Sequence, residues 1–271
     1  MVDNGDSGLD ASFGAARAMP TRLEVQQVKA SVRERLFGIR ADNPRVGEYR
    51  VIRRIGRGGM GAVYEAVDAA GEVVALKTLR GFSPTMLYHL KNEFRALAGV
   101  THPNLIGLDR LYVTGTQAYF TMELVDGRDL VSYVRGEVSA GVLSPDLIDR
   151  LRGVLPQLVD AVAALHRAGK LHRDLKPSNV LVTAAGRAVV LDFGLVRDLS
   201  EVSALSSSNE SFVGTPAYMA PELASGDDLS EDGDWYAVGV MVYESLVGAL
   251  PFGGDGFQVL LEKCRSSAPP V

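Results

Sequence analysis

The chain has 271 residues, of which 46% are hydrophobic and 23% charged, and these proportions exclude a wholly disordered or collagen-like protein. Its single cysteine, Cys264, excludes an internal disulfide framework and is typical of a reducing compartment. The formal net charge of -5 argues against a general nucleic-acid binder, although it does not bear on a local anion site.

Residues 1–46 are predicted to form an N-terminal extension without chemistry of its own. The stretch from Asp3 to Pro20 is rich in small and polar residues, which indicates disorder, and its acidic start is unlike a secretory signal. A short amphipathic helix is predicted after it, because apolar residues recur at helical spacing. These residues are Val25, Val28, Val32 and Leu36.

From Tyr49 onward the pattern predicts short strands separated by turns. The predicted strands are Tyr49–Ile55, Ala62–Val67, Val73–Leu79, Leu108–Val113 and Ala118–Leu124. A helix begins after the third of them, where Ser83-Pro84 supplies a capping hydroxyl and a proline at the first helical position. A hinge is expected near Leu124–Gly127, since helices dominate beyond it.

The second part of the chain is predicted to be mostly helical. The main elements are the helices Leu147–Arg167 and Trp235–Val247, with a hairpin of Val180–Thr183 and Ala188–Leu191 between them. Pro156 is expected to kink the first helix or to delay its start. Glu244 interrupts the most apolar run, which is shorter than the ~20 residues of a membrane span. We therefore predict no membrane segment in this chain and expect a cytoplasmic protein.

A glycine-rich turn follows the first predicted strand. Gly56, Gly58 and Gly61 are spaced as G-x-G-x-x-G, which is weak evidence alone. A dinucleotide-binding fold would place a helix after Gly61, whereas the next residues predict a strand. A P-loop is excluded because Ala62 and Val63 occupy the positions that require Lys and Ser or Thr. The pattern favours a hairpin whose backbone amides can lie over phosphates.

Lys77 lies on a predicted strand on which Ala75 faces the same side. A small residue leaves room for a flat ring there, while the ammonium can reach phosphates beyond it. In the next helix, Glu93 falls on the core-facing stripe of Met86, Leu90 and Leu97, where a carboxylate is costly unless it is paired. We therefore predict a Lys77–Glu93 ion pair, with a solvated surface lysine as the alternative.

Three polar side chains, Asp174, Lys176 and Asn179, lie on one irregular segment before the hairpin. A carboxylate can accept a hydroxyl proton, a lysine can neutralise phosphoryl charge, and an amide oxygen suits a hard cation such as Mg²⁺. Asp192, in Asp192-Phe193-Gly194 after the hairpin, offers a carboxylate ligand for the same cation.

These motifs, together with Gly214-Thr215-Pro216-Ala217-Tyr218-Met219-Ala220-Pro221-Glu222, stand in an order that resembles the eukaryotic-type protein kinases, in their bacterial serine/threonine branch. The resemblance runs from about Tyr49 to Val271. It implies an α+β, bilobal protein-kinase-like fold, with a small antiparallel β-sheet lobe and one key helix at 49–124. A larger, mainly helical lobe is implied at 125–271, truncated at its C-terminus.

The resemblance also implies two cofactors, ATP and Mg²⁺, and a role for each motif residue. The implied catalytic residues are the base Asp174, Lys176 at the γ-phosphate, and Lys77 with its partner Glu93 at the α- and β-phosphates. The implied Mg²⁺ ligands are Asn179 and Asp192. The implied nucleotide-binding residues are Ile55, Gly56, Arg57, Gly58, Gly59, Met60, Gly61, Val63, Ala75, Lys77, Met122, Glu123, Val125, Asp129 and Leu181. Adenine would bond to the backbone of Glu123 and Val125.

The implied activity is transfer of the γ-phosphoryl group of ATP to Ser or Thr hydroxyls of proteins, in signalling. Arg173, beside the implied base, suggests control by phosphorylation of the segment Leu195–Val213, with autophosphorylation at one of four serines. The alternative is a flexible serine-rich loop without regulation. The candidate serines are Ser206, Ser207, Ser208 and Ser211. His172 is expected to be architectural, and Asp234 is expected to brace the loop around Asp174.

Other interpretations remain open at this point. The chain could be a nucleotide-binding pseudokinase that serves as a scaffold. It could also be a truncated and inactive fragment, since relatives continue beyond the segment that ends at Val271 and supply an arginine partner for Glu222. An NAD-binding enzyme is remote, given the strand after Gly61. The expected partners are protein substrates, not nucleic acid, and a membrane anchor or sensor domain beyond Val271 is left open. The sequence indicates no oligomeric state.

Overall fold

The computed structural model describes residues 44–58, 61–79, 84–114, 117–137, 144–192, 216–224, 230–254 and 257–271. The predicted N-terminal helix around Val25–Leu36 lies outside these ranges, as do Ser206–Ser208 and Ser211.

A six-stranded antiparallel sheet occupies the first part of the chain, in the order β1-β2-β3-β4-β6-β5. Its strands are β1 (Arg45–Val46), β2 (Tyr49–Gly58), β3 (Gly61–Val67), β4 (Val73–Leu79), β5 (Leu108–Thr114) and β6 (Gln117–Met122). The five predicted strands are present within a few residues of their expected bounds. Period-2 alternation explains this agreement, because β3 buries Ala62, Tyr64 and Ala66 on one face.

A second, three-stranded sheet joins the two parts of the chain, in the order β7-β8-β9. Its strands are β7 (Gly127–Asp129), β8 (Val180–Thr183) and β9 (Ala188–Val190). A parallel bridge between Leu105 and Val190 ties this sheet to the segment before β5. Because β9 ends two residues before Asp192, this bridge helps to position one of the predicted site residues.

Five α-helices pack around these sheets in the described part of the chain. They are α1 (Pro84–Ala98), α2 (Leu130–Arg135), α3 (Pro145–Arg167), α4 (Glu231–Val247) and α5 (Phe257–Arg265). One core cluster runs from the inner face of the six-stranded sheet, through α1, into the helices beyond β7. Among the described residues, no helix is long and apolar enough to cross a membrane.

Pro156 does not delay the start of α3, because this helix begins at Pro145 and continues through Pro156 to Arg167. Of the two expected effects, the late start is therefore wrong, while the expected kink stays a prediction. A proline inside a helix costs one backbone hydrogen bond. Burial of the apolar face of α3 offsets that cost, since Leu151, Val154 and Leu158 are nearly or fully inaccessible to solvent.

Candidate active site

The glycine turn lies between two paired strands, as predicted. Gly58 pairs with Gly61 at the end of the β2–β3 ladder. A Cβ atom on Gly61 would lie 1.8 Å from the carbonyl oxygen of Thr78 on β4, so only glycine lets β3 approach β4 this closely. Ile55, Gly56 and Arg57 lie on β2, whereas Gly59 and Met60 lie outside the described residues.

One face of the six-stranded sheet carries the residues predicted to contact a nucleotide. Val63 on β3 lies directly opposite Lys77 on β4, and Ala75 lies opposite Met122 on β6. Directly opposed residues share a face of the sheet. The side chain of Lys77 is only 14% exposed, which contradicts the alternative of a solvated surface lysine.

The segment after β6 connects the two parts of the chain and contains the residues predicted to bond adenine. The amide of Glu123 donates to the carbonyl of Gly107 at 2.9 Å. The amide of Glu123 is therefore occupied. Within the described residues, its carbonyl remains available to a ligand. Asp129 is the N-cap of α2 and accepts from the amide of Ser132 at 3.0 Å. Asp129 also pairs with Leu181 across β7 and β8.

The loop before β8 brings together Asp174, Lys176 and Asn179. The Lys176 ammonium donates to Asp174 Oδ2 at 2.8 Å, and the Asn179 amide donates to the same oxygen at 3.1 Å and to the Asp174 carbonyl at 2.7 Å. Within the described part of the chain these bonds leave Asp174 Oδ1 free to accept a proton. The predicted proximity of these three residues is therefore present in the structure.

The backbone of this loop is held by one buried carboxylate. Asp234, at the start of α4 and 4% exposed, accepts from the amides of His172 and Arg173 at 2.8 Å each. It also lies 2.9 Å from Nε2 of His166. Asp234 therefore braces the loop around Asp174, as expected.

His172 is fully buried and shapes the same loop. Its Nε2 atom lies 2.8 Å from the carbonyl of Leu191, and its Nδ1 atom lies 3.3 Å from the amide of Asp174. Burial lowers the pKa of His172. The neutral ring can donate through Nε2 and accept through Nδ1, so His172 links the Asp174 loop to the segment that carries Asp192.

Two residues at the site have left-handed backbone conformations that side chains other than glycine rarely adopt. Arg173 has a φ angle of 66° and Asp192 has one of 52°. Such conformations carry strain of about 1 to 3 kcal/mol each and cluster at functional sites. Arg173 directly precedes the predicted base, Asp174, and Asp192 is itself the predicted metal ligand.

The predicted ion pair between Lys77 and Glu93 is not formed in the structure. The ammonium of Lys77 lies 2.6 Å from Oδ1 of Asp192, and Glu93 is paired instead with Lys170 at 2.9 Å. The helical spacing placed Glu93 correctly on an inward face of α1, but it could not identify the cation nearest to that face. Lys170 follows α3 and reaches Glu93 from the second part of the chain.

Residues 49–267 match the family described as "Protein kinase domain". The chain belongs to the protein kinase family. The resemblance found in the sequence and the α+β kinase fold are thereby confirmed. The match covers both the sheet that carries Lys77 and the loop that carries Asp174.

Curated bacterial kinases are similar to this kinase domain. It is 35% identical over 229 residues to the probable serine/threonine-protein kinase PknB of Lactococcus lactis, covering 82% of this chain and 35% of that protein. It is 36% identical over 244 residues to the serine/threonine-protein kinase PknA of Mycobacterium tuberculosis, covering 84% and 55%. The chain therefore spans between about one third and just over one half of the length of these relatives.

A solved structure supports the same fold. The crystal structure of Rad53 1-466 in complex with AMP-PNP superposes with a TM-score of 0.63 and 28% sequence identity, over 80% of this chain and 53% of that chain. At this level of similarity the kinase fold described above is shared.

The donor set of the kinase domain fits a magnesium ion that also binds phosphate. In the described residues no group of three or more His, Cys, Asp or Glu could hold a metal by itself. Mg²⁺ usually takes one or two protein oxygens together with substrate phosphates and water. Asp192 and Asn179 supply that number of protein oxygens, and Lys77 lies beside the first of them.

Three contacts of the kinase domain were missed in the sequence. Arg187, on the turn between β8 and β9, donates to both carboxylate oxygens of Glu123 at 2.5 and 3.1 Å. Lys170 reaches Glu93, and Lys263 on α5 is buried against the segment 216–219. Each joins elements far apart in the chain, so helical or strand periodicity carries no signal for it. The sequence motifs contain one partner of each contact, namely Glu123, Glu93 or the segment 216–219. They give no indication of the other partner.

Proposed function

We propose that this kinase domain transfers the γ-phosphoryl group of Mg²⁺-bound ATP to Ser or Thr hydroxyls of proteins. One observation carries the proposal, namely that an amine and a carboxylate from separate elements meet at 2.6 Å, as Lys77 and Asp192. A second pair, Lys176 and Asp174, lies at 2.8 Å on the adjacent loop. Phosphoryl transfer depends on this kind of positioning and charge neutralisation.

The nucleotide is proposed to lie between the two sheets. Val63, Ala75 and Leu181 would contact the adenine ring, and the carbonyl of Glu123 and the amide of Val125 would bond its edge. Asp129 would lie near the ribose, and the glycine turn would cover the phosphates. The similar Rad53 structure is a complex with AMP-PNP, which supports nucleotide binding by this fold.

The reaction is proposed to begin with a protein hydroxyl close to Asp174. The Oδ1 atom of Asp174 accepts the hydroxyl proton as the oxygen forms a bond to the γ-phosphorus, and the bond to the β,γ-bridging oxygen breaks to leave ADP. Lys176 neutralises charge on the transferred group. Mg²⁺, held by Asp192 and Asn179, supplies charge neutralisation at the phosphates when it is bound.

Selectivity for Ser and Thr is supported by Lys176, which stands two residues after Asp174, as in the serine/threonine branch. The bacterial relatives named above are serine/threonine-protein kinases. Autophosphorylation at Ser206, Ser207, Ser208 or Ser211 is part of the proposal, because Arg173 stands next to the base and a phosphate is a suitable partner for a guanidinium.

The proposal is tested by incorporation of labelled phosphate from ATP into a basic protein substrate, with and without Mg²⁺. Asp174→Asn and Lys77→Met should each abolish transfer, and chelation of the metal should do the same. Mapping of phosphorylated serines by mass spectrometry tests the autophosphorylation step. Wild-type transfer no higher than that of Asp174→Asn, in a protein that still binds ATP, would support the pseudokinase alternative.

A further inference from the structure

Lys263 on α5 is a buried amine that the proposed reaction does not use. The residue is 7% exposed. Its ammonium donates to the carbonyl oxygens of Pro216 at 2.8 Å, Ala217 at 2.7 Å and Met219 at 2.7 Å. An ammonium has three N–H donors, so each donor has one main-chain acceptor from the same short segment.

The surroundings of Lys263 hold the amine in place. The ring of Tyr236 on α4 lies below it, with the centroid 5.0 Å from Nζ, which is a favourable cation–π distance. Lysine is almost never buried unless its charge is compensated. A side chain placed here at that cost, with all three donors on one segment, fixes the backbone of that segment rather than filling space.

The segment 216–219 rests on the same helix that braces the catalytic loop. Asp234 of α4 holds the amides of His172 and Arg173, and Tyr236 follows two residues later. Further along α4, Glu244 accepts from the hydroxyl of Tyr218 at 2.6 Å. The loop of Asp174 and the segment 216–219 are therefore attached to one rigid element.

The bond between Tyr218 and Glu244 is maintained by the protonated hydroxyl. Burial raises the pKa of Tyr218, and the hydrogen bond to Glu244 adds to this shift. The hydroxyl therefore keeps donating to Glu244, so the segment 216–219 stays attached to α4.

We propose that Lys263 is a positioning residue for the protein substrate, because it fixes the segment 216–219, which is attached to the same helix as the Asp174 loop. The inference rests on the proposed kinase activity. It assigns to Lys263 an effect on the protein substrate and no contact with ATP, since the nucleotide residues lie on other elements. Loss of the amine loosens three backbone groups at once and should weaken productive docking of a protein hydroxyl.

The test compares Lys263→Met with wild type and with Arg265→Met, which removes an exposed cation from the same helix. For Lys263→Met we expect the KM for a peptide substrate to rise about tenfold, as expected when charge-assisted hydrogen bonds are lost. The kcat and the KM for ATP should stay within about twofold of wild type. Arg265→Met should resemble wild type in the KM for the peptide, the kcat and the KM for ATP.

A structural readout separates positioning from general loss of stability. Hydrogen exchange at the amides of residues 217–220 should become faster in Lys263→Met, while exchange in α3 stays unchanged. If Lys263→Met does not fold, Tyr218→Phe decides, since it removes the hydroxyl contact to Glu244 without burying a charge. Tyr218→Phe should raise the KM for the peptide and should speed hydrogen exchange at the same amides.

Three results in an active protein overturn the inference alone. They are an unchanged KM for peptide, equal increases in the KM for ATP and for peptide, and unchanged hydrogen exchange at residues 217–220. A wild-type protein that transfers no phosphate overturns the proposed function and this inference together, so the two failures are distinguishable.

Discussion

Lys170 and Glu93 form an ion pair, with the ammonium 2.9 Å from Oε2 of the carboxylate. This contact joins α1 to the segment just before His172. At the same time Lys77 is paired with Asp192, so Lys77 and Glu93, which were predicted to pair with each other, each have a different partner. If Asp192 binds Mg²⁺ as proposed, Lys77 needs a new partner, and Lys170 competes with it for Glu93.

Replacement of Lys170 by methionine should therefore favour the Lys77–Glu93 pair. Both side chains of the present pair are about one quarter exposed, and such a pair is worth at most about 1 kcal/mol. We expect kcat/KM for ATP to rise by no more than about fivefold in Lys170→Met. Steady-state kinetics with ATP as the varied substrate measure this change.

The matched control is Lys91→Met, which removes an exposed cation from α1 and should leave kcat/KM unchanged. Glu93→Gln should lower kcat/KM for ATP, because it removes the carboxylate with which either Lys77 or Lys170 could pair. A lower activity in Lys170→Met would show that Lys170 supports the site instead of competing with Lys77.

The strands and long helices were predictable because each carries its own periodicity. Val73–Leu79 was predicted with the bounds that the structure gives β4, since a run of apolar and β-branched residues there follows a glycine-bearing turn. The proximity of Asp174, Lys176 and Asn179 was also predictable, because all three lie within six residues of one loop. Local patterns of this kind need no knowledge of how distant elements pack.

The partners of the charged residues were not predictable in the same way. The stripe on α1 placed Glu93 on an inward face, but whether Lys77 or Lys170 is nearer depends on how α1 sits against the second part of the chain. Pro156 illustrates the same limit, because its local cost was outweighed by burial of the rest of α3. Tertiary packing decided both cases.

Arg187 is expected to support ATP binding through Glu123. Its guanidinium holds both carboxylate oxygens of Glu123 and also donates to the carbonyl of Pro103 at 2.8 Å. Arg187→Ala should raise the KM for ATP about three- to tenfold with kcat nearly unchanged, because the backbone that is proposed to bond adenine loses its support.

Arg187→Lys should have a KM for ATP between those of Arg187→Ala and wild type, since an ammonium cannot form the bidentate contact with the Glu123 carboxylate. Arg128→Ala on β7, an exposed position, serves as the control and should not change the KM for ATP. A kcat effect without a KM effect in Arg187→Ala would contradict a role in nucleotide binding.

Asp234 should be essential for stability of the loop around Asp174. Asp234→Ala leaves the amides of His172 and Arg173 and the ring of His166 without their buried acceptor, at a cost of about 3 kcal/mol in the free energy of unfolding. Asp234→Asn retains one oxygen acceptor and should cost less. Urea denaturation measures both, and Asp232→Ala in the exposed first turn of α4 should be nearly neutral. Equal stabilities of Asp234→Ala and Asp232→Ala would disprove the bracing role.

The stability of the protein should depend on pH through Lys263. Burial lowers the pKa of Lys263 from 10.5 to about 8 in the folded protein. Between these two values the unfolded chain binds more protons than the folded one, so the free energy of unfolding rises with pH. The facing group on α4, Tyr236, has a pKa raised by burial to about 12 and remains neutral throughout this range.

The measurement is urea denaturation of wild type and Lys263→Met at pH 7.5, 8.5 and 9.5. Other titrating groups affect both proteins alike, so the difference between them isolates Lys263. Wild type should gain stability relative to Lys263→Met as the pH rises, by at most about 1.4 kcal/mol per pH unit, because the amine sheds its buried charge. A difference that stays constant from pH 7.5 to 9.5 would show that the Lys263 ammonium keeps an ordinary pKa, and that the three carbonyl contacts fully compensate its burial.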